Sequence, residues 1–440
     1  MAKMGEPVLS SSPQAAFPQL SLILCSRNDR YMGDSLWRLN MTLNYTARKV
    51  RELGRQNDVE IIVSDWGSSV PLREVVQLTE EASRIVSFLH IPQEIALPLQ
   101  KESPFPEVLA LNAAARRARG RFIGRIDQDT LAGAGFLARF LEMCDTDKGF
   151  TIGRDGTAVT VPLDRALMFA TRRGIPYRFV VGYPDLSQIE RLINGFGAYL
   201  PIANRYMGQS IVHTDVGIWM FHRDLWFECG GYDERLIFMN EMDPEMGDRL
   251  KTKYTLVDLG EEVSYDFYHL DHYHPRNVRT SSAYRKVNAR PESKGMNPNG
   301  AHWGLGNHDL QLQSAPAAPA WDKDKGEHSY GGALLRAALH VACDNLYFFA
   351  KLPIQPLRIL LSALAGLLVL PYELALGNAR MFLRLRRQRM RLLPLISQCC
   401  FWSMTSIKVA ACGGWEAAAG RFMSKRGDRQ MERNKNAFPL

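Results

Sequence analysis

The sequence shows no apolar run in residues 1–19, no CxxC cysteine pair and no internal repeat, and each absence bears on what is expected of the protein. Residues 1–19 are small, polar and proline-containing, so no secretory signal is expected. Seven cysteines (Cys25, Cys144, Cys229, Cys343, Cys399, Cys400 and Cys412) are scattered over 440 residues without a CxxC pair. That argues against a disulfide framework and for free thiols in a reducing compartment. The apolar run Ile359–Tyr372 holds fourteen uncharged residues, short of the roughly 20 that cross a bilayer. Without an export signal, the glycosylation sequons at Asn40 and Asn44 are expected to be chance.

What is present suits a globular protein with a main domain and an appendage: 46% hydrophobic and 23% charged residues. The net charge of +8 is uneven. Residues 377–440 carry thirteen Lys/Arg against three acids, a net of +10, so the remaining residues sum to about −2. A basic tail on a near-neutral body argues against a nucleic-acid-binding catalytic domain. It favours a polyanionic surface met by the C-terminus, most simply anionic lipid. Six arginines between Arg380 and Arg391, among Met, Phe and Leu and beside the apolar run, fit a monotopic membrane-surface element. A helical subdomain packed on the core is the other reading.

Hydrophobic pattern organises the first 130 residues. Apolar, β-prone runs at 20–25, 59–63, 85–91 and 121–126 alternate with helical spacing at 35–54, 72–83 and 106–119. Strand and helix in alternation predict a mostly parallel α/β sheet with helices on its faces. Residues 133–145 read as helix, and 150–210 are mixed. A second block holds a strand at 217–222, a short helix, a Gly-Gly turn and a helix from about 240 to 250. Residues 276–330 are rich in Pro, Gly, Asn and Ser and read as a loop or lid. A basic helical region, 331–440, follows.

Two carboxylates, Asp127 and Asp129, stand at i, i+2 after the fourth strand. Alternate residues of a strand share a face, so both are expected to aim at one point beyond the sheet. Ligands of open α/β sheets gather at that carboxyl edge. Two hard oxygen donors there suit Mg2+ or Mn2+ holding a diphosphate. Asp65 ends the second strand in Ser64-Asp65-Trp66-Gly67-Ser68, and a helix with Asn112-Ala-Ala-Ala-Arg-Arg-Ala-Arg-Gly precedes the fourth. Further on come Gly230-Gly231-Tyr232-Asp233-Glu234 and Glu241-Met242-Asp243-Pro244-Glu245-Met246-Gly247-Asp248-Arg249-Leu250.

These segments, in this order, resemble the GT-A fold of family-2 nucleotide-sugar glycosyltransferases over roughly residues 18–275. The resemblance implies that Asp129 ligates a metal, Mn2+ or Mg2+, bridging the donor diphosphate, and that Asp127 contacts the metal or the ribose. It implies that Asp65 reads the nucleotide base, while Ser26, Arg27 and Asn112 line the nucleotide-sugar site. Trp66 departs from the family's usual Asp-Asp-Gly-Ser; it would stack on the base or cap the core. Alignment on Arg249-Leu250 puts Asp243 on the family's Asp of a Glu-Asp pair and Met242 on its Glu, a second departure. The proton acceptor is therefore expected to be Asp243, with Glu241 the other candidate. In His269-Leu-Asp271-His272-Tyr-His274, His272 and His274 would share a strand face, and one of them is expected as a third metal ligand. Trp303, in a Gly/Asn/His-rich loop, would stack on a sugar.

The expected activity is inverting transfer of a sugar from a nucleoside diphosphate, uridine-linked by resemblance, to an acceptor hydroxyl. The basic tail points to a lipid-linked or surface glycan, as in polysaccharide biosynthesis, and to a cytoplasmic enzyme peripheral on the inner face of a membrane. Two alternatives stand: an inactive, membrane-associated scaffold on the same fold, and a sugar-phosphate nucleotidyltransferase. The latter would need a Gly-x-Gly-x-Arg-Leu first loop where this chain has Ser26-Arg-Asn-Asp-Arg-Tyr-Met-Gly33.

Overall fold

The computed structural model describes residues 17–29, 35–154, 157–175, 177–180, 183–197, 200, 216–238, 241–259, 266–272 and 295–316. The alternating half contains β1 (Leu20–Ser26), α1 (Ser35–Glu52), β2 (Val59–Trp66), α2 (Leu72–Val75), α3 (Glu80–Ile85), β3 (Val86–Ile91), α4 (Gln93–Gln100), α5 (Glu107–Arg117) and β4 (Phe122–Arg125). Then come β5 (Thr130–Ala132), α6 (Ala134–Thr146), the hairpin β6 (Phe150–Arg154) and β7 (Thr157–Val161), β8 (Ala166–Thr171) and β9 (Arg173–Ile175). The chain continues through α7 (Tyr177–Val180), α8 (Leu186–Phe196), β10 (Val216–His222), α9 (Arg223–Cys229) and α10 (Met242–Leu250). The last described elements are β11 (Thr255–Asp258), β12 (Phe267–Leu270) and β13 (Gln313–Ser314).

The main sheet has the order β11-β8-β10-β4-β1-β2-β3-β13. β1, β2, β3 and β4 run parallel, β10 is antiparallel to both its neighbours, and β13 is antiparallel to β3. This is the mostly parallel, helix-flanked α/β sheet that the GT-A resemblance implies. β1, β2 and β4 are covered on both faces, which is why they read as unbroken apolar runs rather than alternating ones. One face packs on α1, α3 and α6, the other on α5, α9 and α10. Helix α5 is buried from Val108 through Ala115; its small side chains let it lie close between the sheet and a later segment.

That segment is residues 295–316, part of the expected lid. It is built onto the domain: Arg116 donates to the carbonyls of Ala301 and Trp303, Arg117 to those of Gly304, Leu305, His308 and Leu310, and β13 extends the sheet beside β3.

The helix expected over 72–83 is two short helices. Between them the chain is extended because α1 captures its backbone: Asn40 accepts from the Gln77 N–H at 3.1 Å, and Asn44 bonds the Thr79 N–H and the Gln77 carbonyl. Both asparagines are buried by this role, which agrees with chance sequons. The basic region 331–440 and His274 lie outside the described residues. Among those described, no helix is long and apolar enough to cross a membrane.

Candidate active site

Strand β4 ends at Arg125, earlier than its apolar run suggests, so Asp127, Gln128 and Asp129 lie in a turn closed by the Thr130 N–H to the Asp127 carbonyl. The strand-face argument for the two carboxylates therefore fails, and they point to different partners. Asp127 is held by Arg172 and by Arg125, whose Nη2 is 2.8 Å from Oδ1. Burial raises its carboxyl, but these two guanidiniums outweigh it and hold it below the usual range.

Asp129 turns to two imidazoles instead. His269 Nε2 lies 3.4 Å and His272 Nε2 3.6 Å from its oxygens, and one donor atom from each of the three residues falls within 4.8 Å of the others. The long-range cause is a second, three-stranded sheet. β12 pairs antiparallel with β5, placing His269 opposite Thr130, while the Leu270 N–H bonds the Asp129 carbonyl at 2.9 Å. The chain leaves the strand after Leu270, so His272 swings round to meet His269; their ring centroids are 5.3 Å apart. Arg38 of α1, buried, lies 3.4 Å from the Asp129 carboxylate. Burial raises this carboxyl too, but His269, His272 and Arg172 outweigh it and keep it ionised. A carboxylate and two imidazoles converging at the carboxyl edge form a donor set that fits a divalent ion. Within the expected set, Asp129 and His272 are brought together, His269 joins them, and Asp127 goes elsewhere.

Beside this cluster, Asp243 in the first turn of α10 accepts from the Tyr232 hydroxyl at 2.9 Å and stands 3.6 Å from Arg125. Arg125 also bonds Glu107 at 2.7 Å. Burial pushes the Glu107 carboxyl up against the pull of Arg125, and Asp127 and Asp243 add to the push. Burial, with Asp243, also pushes the Tyr232 phenol up, so it donates as a neutral hydroxyl. Glu241 precedes the helix at φ 65° and its side chain does not cap it.

Other expected ligand residues have structural work. Asp65 is 1% exposed, and both its oxygens are engaged: by Ser68 Oγ on one side, and by the Leu72 N–H and His90 Nδ1 on the other. These bonds pin the turn after β2. Trp66 is in the core. Ser26 donates to Gln128, so it braces the turn between the two aspartates. Arg27 pairs with Asp29 at 2.7 Å. Trp303 is 3% exposed, edge-on to Phe227 with Arg116 over its ring, so no face is open to a sugar.

Asn112, wholly buried, clamps the Gly-Gly-Tyr turn. Its amide accepts from the Tyr232 N–H and donates to the Tyr232 carbonyl, both at 2.8 Å, and reaches Glu234 at 3.1 Å. Gly231 has φ 72°, and a Cβ there would come within 2.3 Å of Asn112 Oδ1. Arg249 donates to the carbonyls of Cys229 and Gly231 and completes the turn. The Gly-Gly-Tyr-Asp-Glu motif is thus a hub that aims Tyr232 at Asp243. Asn112→Ala is expected to cost about 2 kcal/mol, the price of a buried hydrogen-bonding site left unmet, measured by urea denaturation, with metal binding at Asp129 kept.

Sequence reasoning passed over His269, Arg125, Arg172, Glu107 and Arg38. For His269 the signal was present in the three-histidine run. Arg125 stands two residues before Asp127, a spacing that could have been read. Nothing local marks Arg38, Arg172 or Glu107.

No protein-family model and no curated protein matches the sequence. Among solved structures, the chain is similar to Staphylococcus aureus TarS residues 1–349, at 14% identity and a TM-score of 0.36, over 57% of this chain and 60% of that one. The same fragment in complex with UDP gives 14% and 0.35. The catalytic domain of Drosophila beta1,4-galactosyltransferase 7, in complex with xylobiose, gives 12% and 0.33 over 63% of this chain and 83% of that one. The match thus spans less than two thirds of the TarS fragment, and likeness at this level says nothing by itself about activity.

Proposed function

We propose that this chain is a metal-dependent inverting glycosyltransferase of GT-A type. It moves a sugar from a nucleoside diphosphate, by resemblance UDP, to the hydroxyl of a lipid-linked or surface glycan. The observation that carries this is the convergence of Asp129, His269 and His272 at the carboxyl edge of the sheet, joined through Asp127 and Arg125 to Asp243. A divalent ion held there would neutralise the charge that develops on the leaving nucleoside diphosphate. Two imidazoles favour Mn2+ over Mg2+, which prefers oxygen donors.

Asp243 is the proton acceptor. The acceptor hydroxyl gives its proton to the carboxylate as its oxygen bonds the anomeric carbon from the face opposite the diphosphate. The glycosidic C–O bond breaks, and the nucleoside diphosphate leaves with the electron pair. Tyr232, donating to one oxygen of Asp243, orients the other. Arg172, beside Asp127, supplies positive charge at the donor side. The basic C-terminal region is proposed to bring the enzyme to the inner face of a membrane, where such acceptors lie.

A donor screen tests the reading. Purified protein with Mn2+ is expected to release free nucleoside diphosphate from one of several nucleoside diphosphate sugars, and not when the metal is chelated. If no donor is turned over and none is bound by calorimetry, the transferase reading is wrong.

A further inference from the structure

We propose that Arg125 is a positioning residue that sets the proton acceptor against the donor. This rests on Asp243 being the base, as read above. Arg125 is the last residue of β4, paired with Ile23 of β1 and Trp219 of β10, so its side chain rises from the middle of the sheet. The guanidinium, its side chain 8% exposed, meets three carboxylates from three elements. Nη2 lies 2.7 Å from Glu107 in the first turn of α5 and 2.8 Å from Asp127 in the donor turn; Nη1 lies 3.6 Å from Asp243 in the first turn of α10.

Met242 and Pro244 bury the first turn of α10, but no side chain caps it, so the direction of Asp243 depends on the groups that its carboxylate meets. Glu241 occupies the N-cap in a left-handed conformation without a side-chain cap, and Asp243 accepts from the Tyr232 hydroxyl on Oδ1 while Oδ2 faces Arg125. Arg125 spans the gap with one rigid, planar group, so the base and the donor-side Asp127 keep a set separation. A buried cation among three acids is weak evidence of a device for stability, since a whole buried ion cluster exchanged for apolar groups is often as stable or more so, although removing the cation alone is costly. Its value is geometric: a displacement of the order of 1 Å at a reacting group can cost about 100-fold in rate.

The test uses the full chain, the donor found by the screen and three variants. Arg125→Met is expected to lower kcat by about 100-fold while donor affinity by calorimetry and donor KM stay within about threefold of wild type. Arg125→Lys, which keeps the charge but not the planar fork, recovers part of the rate. Glu107→Gln loosens the anchor of the guanidinium and is expected to lower kcat by about tenfold with donor affinity kept. It carries the test if Arg125→Met does not fold.

An unchanged kcat in the folded variants overturns the proposal. So does a loss of donor affinity that matches the loss in rate, for Arg125 would then be a donor ligand. A wild-type protein that turns over no donor defeats the transferase reading and this inference with it, a result distinct from an active enzyme indifferent to Arg125.

Discussion

Replacing Asp129 by Ala is expected to abolish metal binding and, with it, donor turnover. Among the described residues, Asp129 is the carboxylate that the fold aims at both His269 and His272. A metal-held diphosphate is worth several kcal/mol of transition-state stabilisation, so the loss in rate should be on the order of 1000-fold. Mn2+ binding, by calorimetry or by the quenching of its paramagnetic resonance signal, is the direct readout and does not depend on finding the donor. Asp127→Asn is the comparison, because Arg125 and Arg172 already occupy that carboxylate. It is expected to lower Mn2+ affinity by no more than about 10- to 100-fold, the range of an outer-shell change. Equal loss in both variants would make the aspartates a joint metal site and undo the separation read here. Arg38 loses a carboxylate partner in Asp129→Ala, so the melting temperature of each variant must accompany the binding data.

The second large effect is expected at Asp243. Asp243→Asn keeps the shape and can still accept from the Tyr232 hydroxyl, but it cannot take a proton. General-base catalysis contributes about 100- to 10,000-fold, and kcat should fall within that range. Donor affinity should not change, since the proton acceptor acts on the acceptor hydroxyl. Steady-state kinetics with saturating donor, paired with calorimetry of donor binding, would separate the two. If Glu241→Gln shows this signature and Asp243→Asn does not, the base is Glu241 and α10 must turn to present it.

The architecture was legible because buried parallel strands are local features. Leu20–Ser26 and Val59–Trp66 are apolar from end to end and are covered on both faces. The break between α2 and α3 was not legible, because Asn40 and Asn44 impose it from another helix. Asn112 stands out in the sequence as a candidate donor-site residue, and the fold buries its amide against Tyr232. A buried amide that clamps a Gly-Gly turn and one that lines a sugar site look alike in sequence. Trp303 carries the same lesson, for an indole in a loop reads as exposed until Phe227 and Arg116 cover it.

By itself, the sequence determined the α/β alternation, the position of Asp129 beyond the fourth strand, and the acidic turn that opens α10. Each depends on residues close together in the chain, whose periodicity and polarity act locally. Tertiary structure alone decided which groups share the site. The pairing of β12 with β5 carries His269 across some 140 positions to Asp129, and the early end of β4 turns Asp127 away toward Arg125 and Arg172. Those choices depend on where hydrogen-bonded edges meet and which charges find partners, and no window along the chain contains that information.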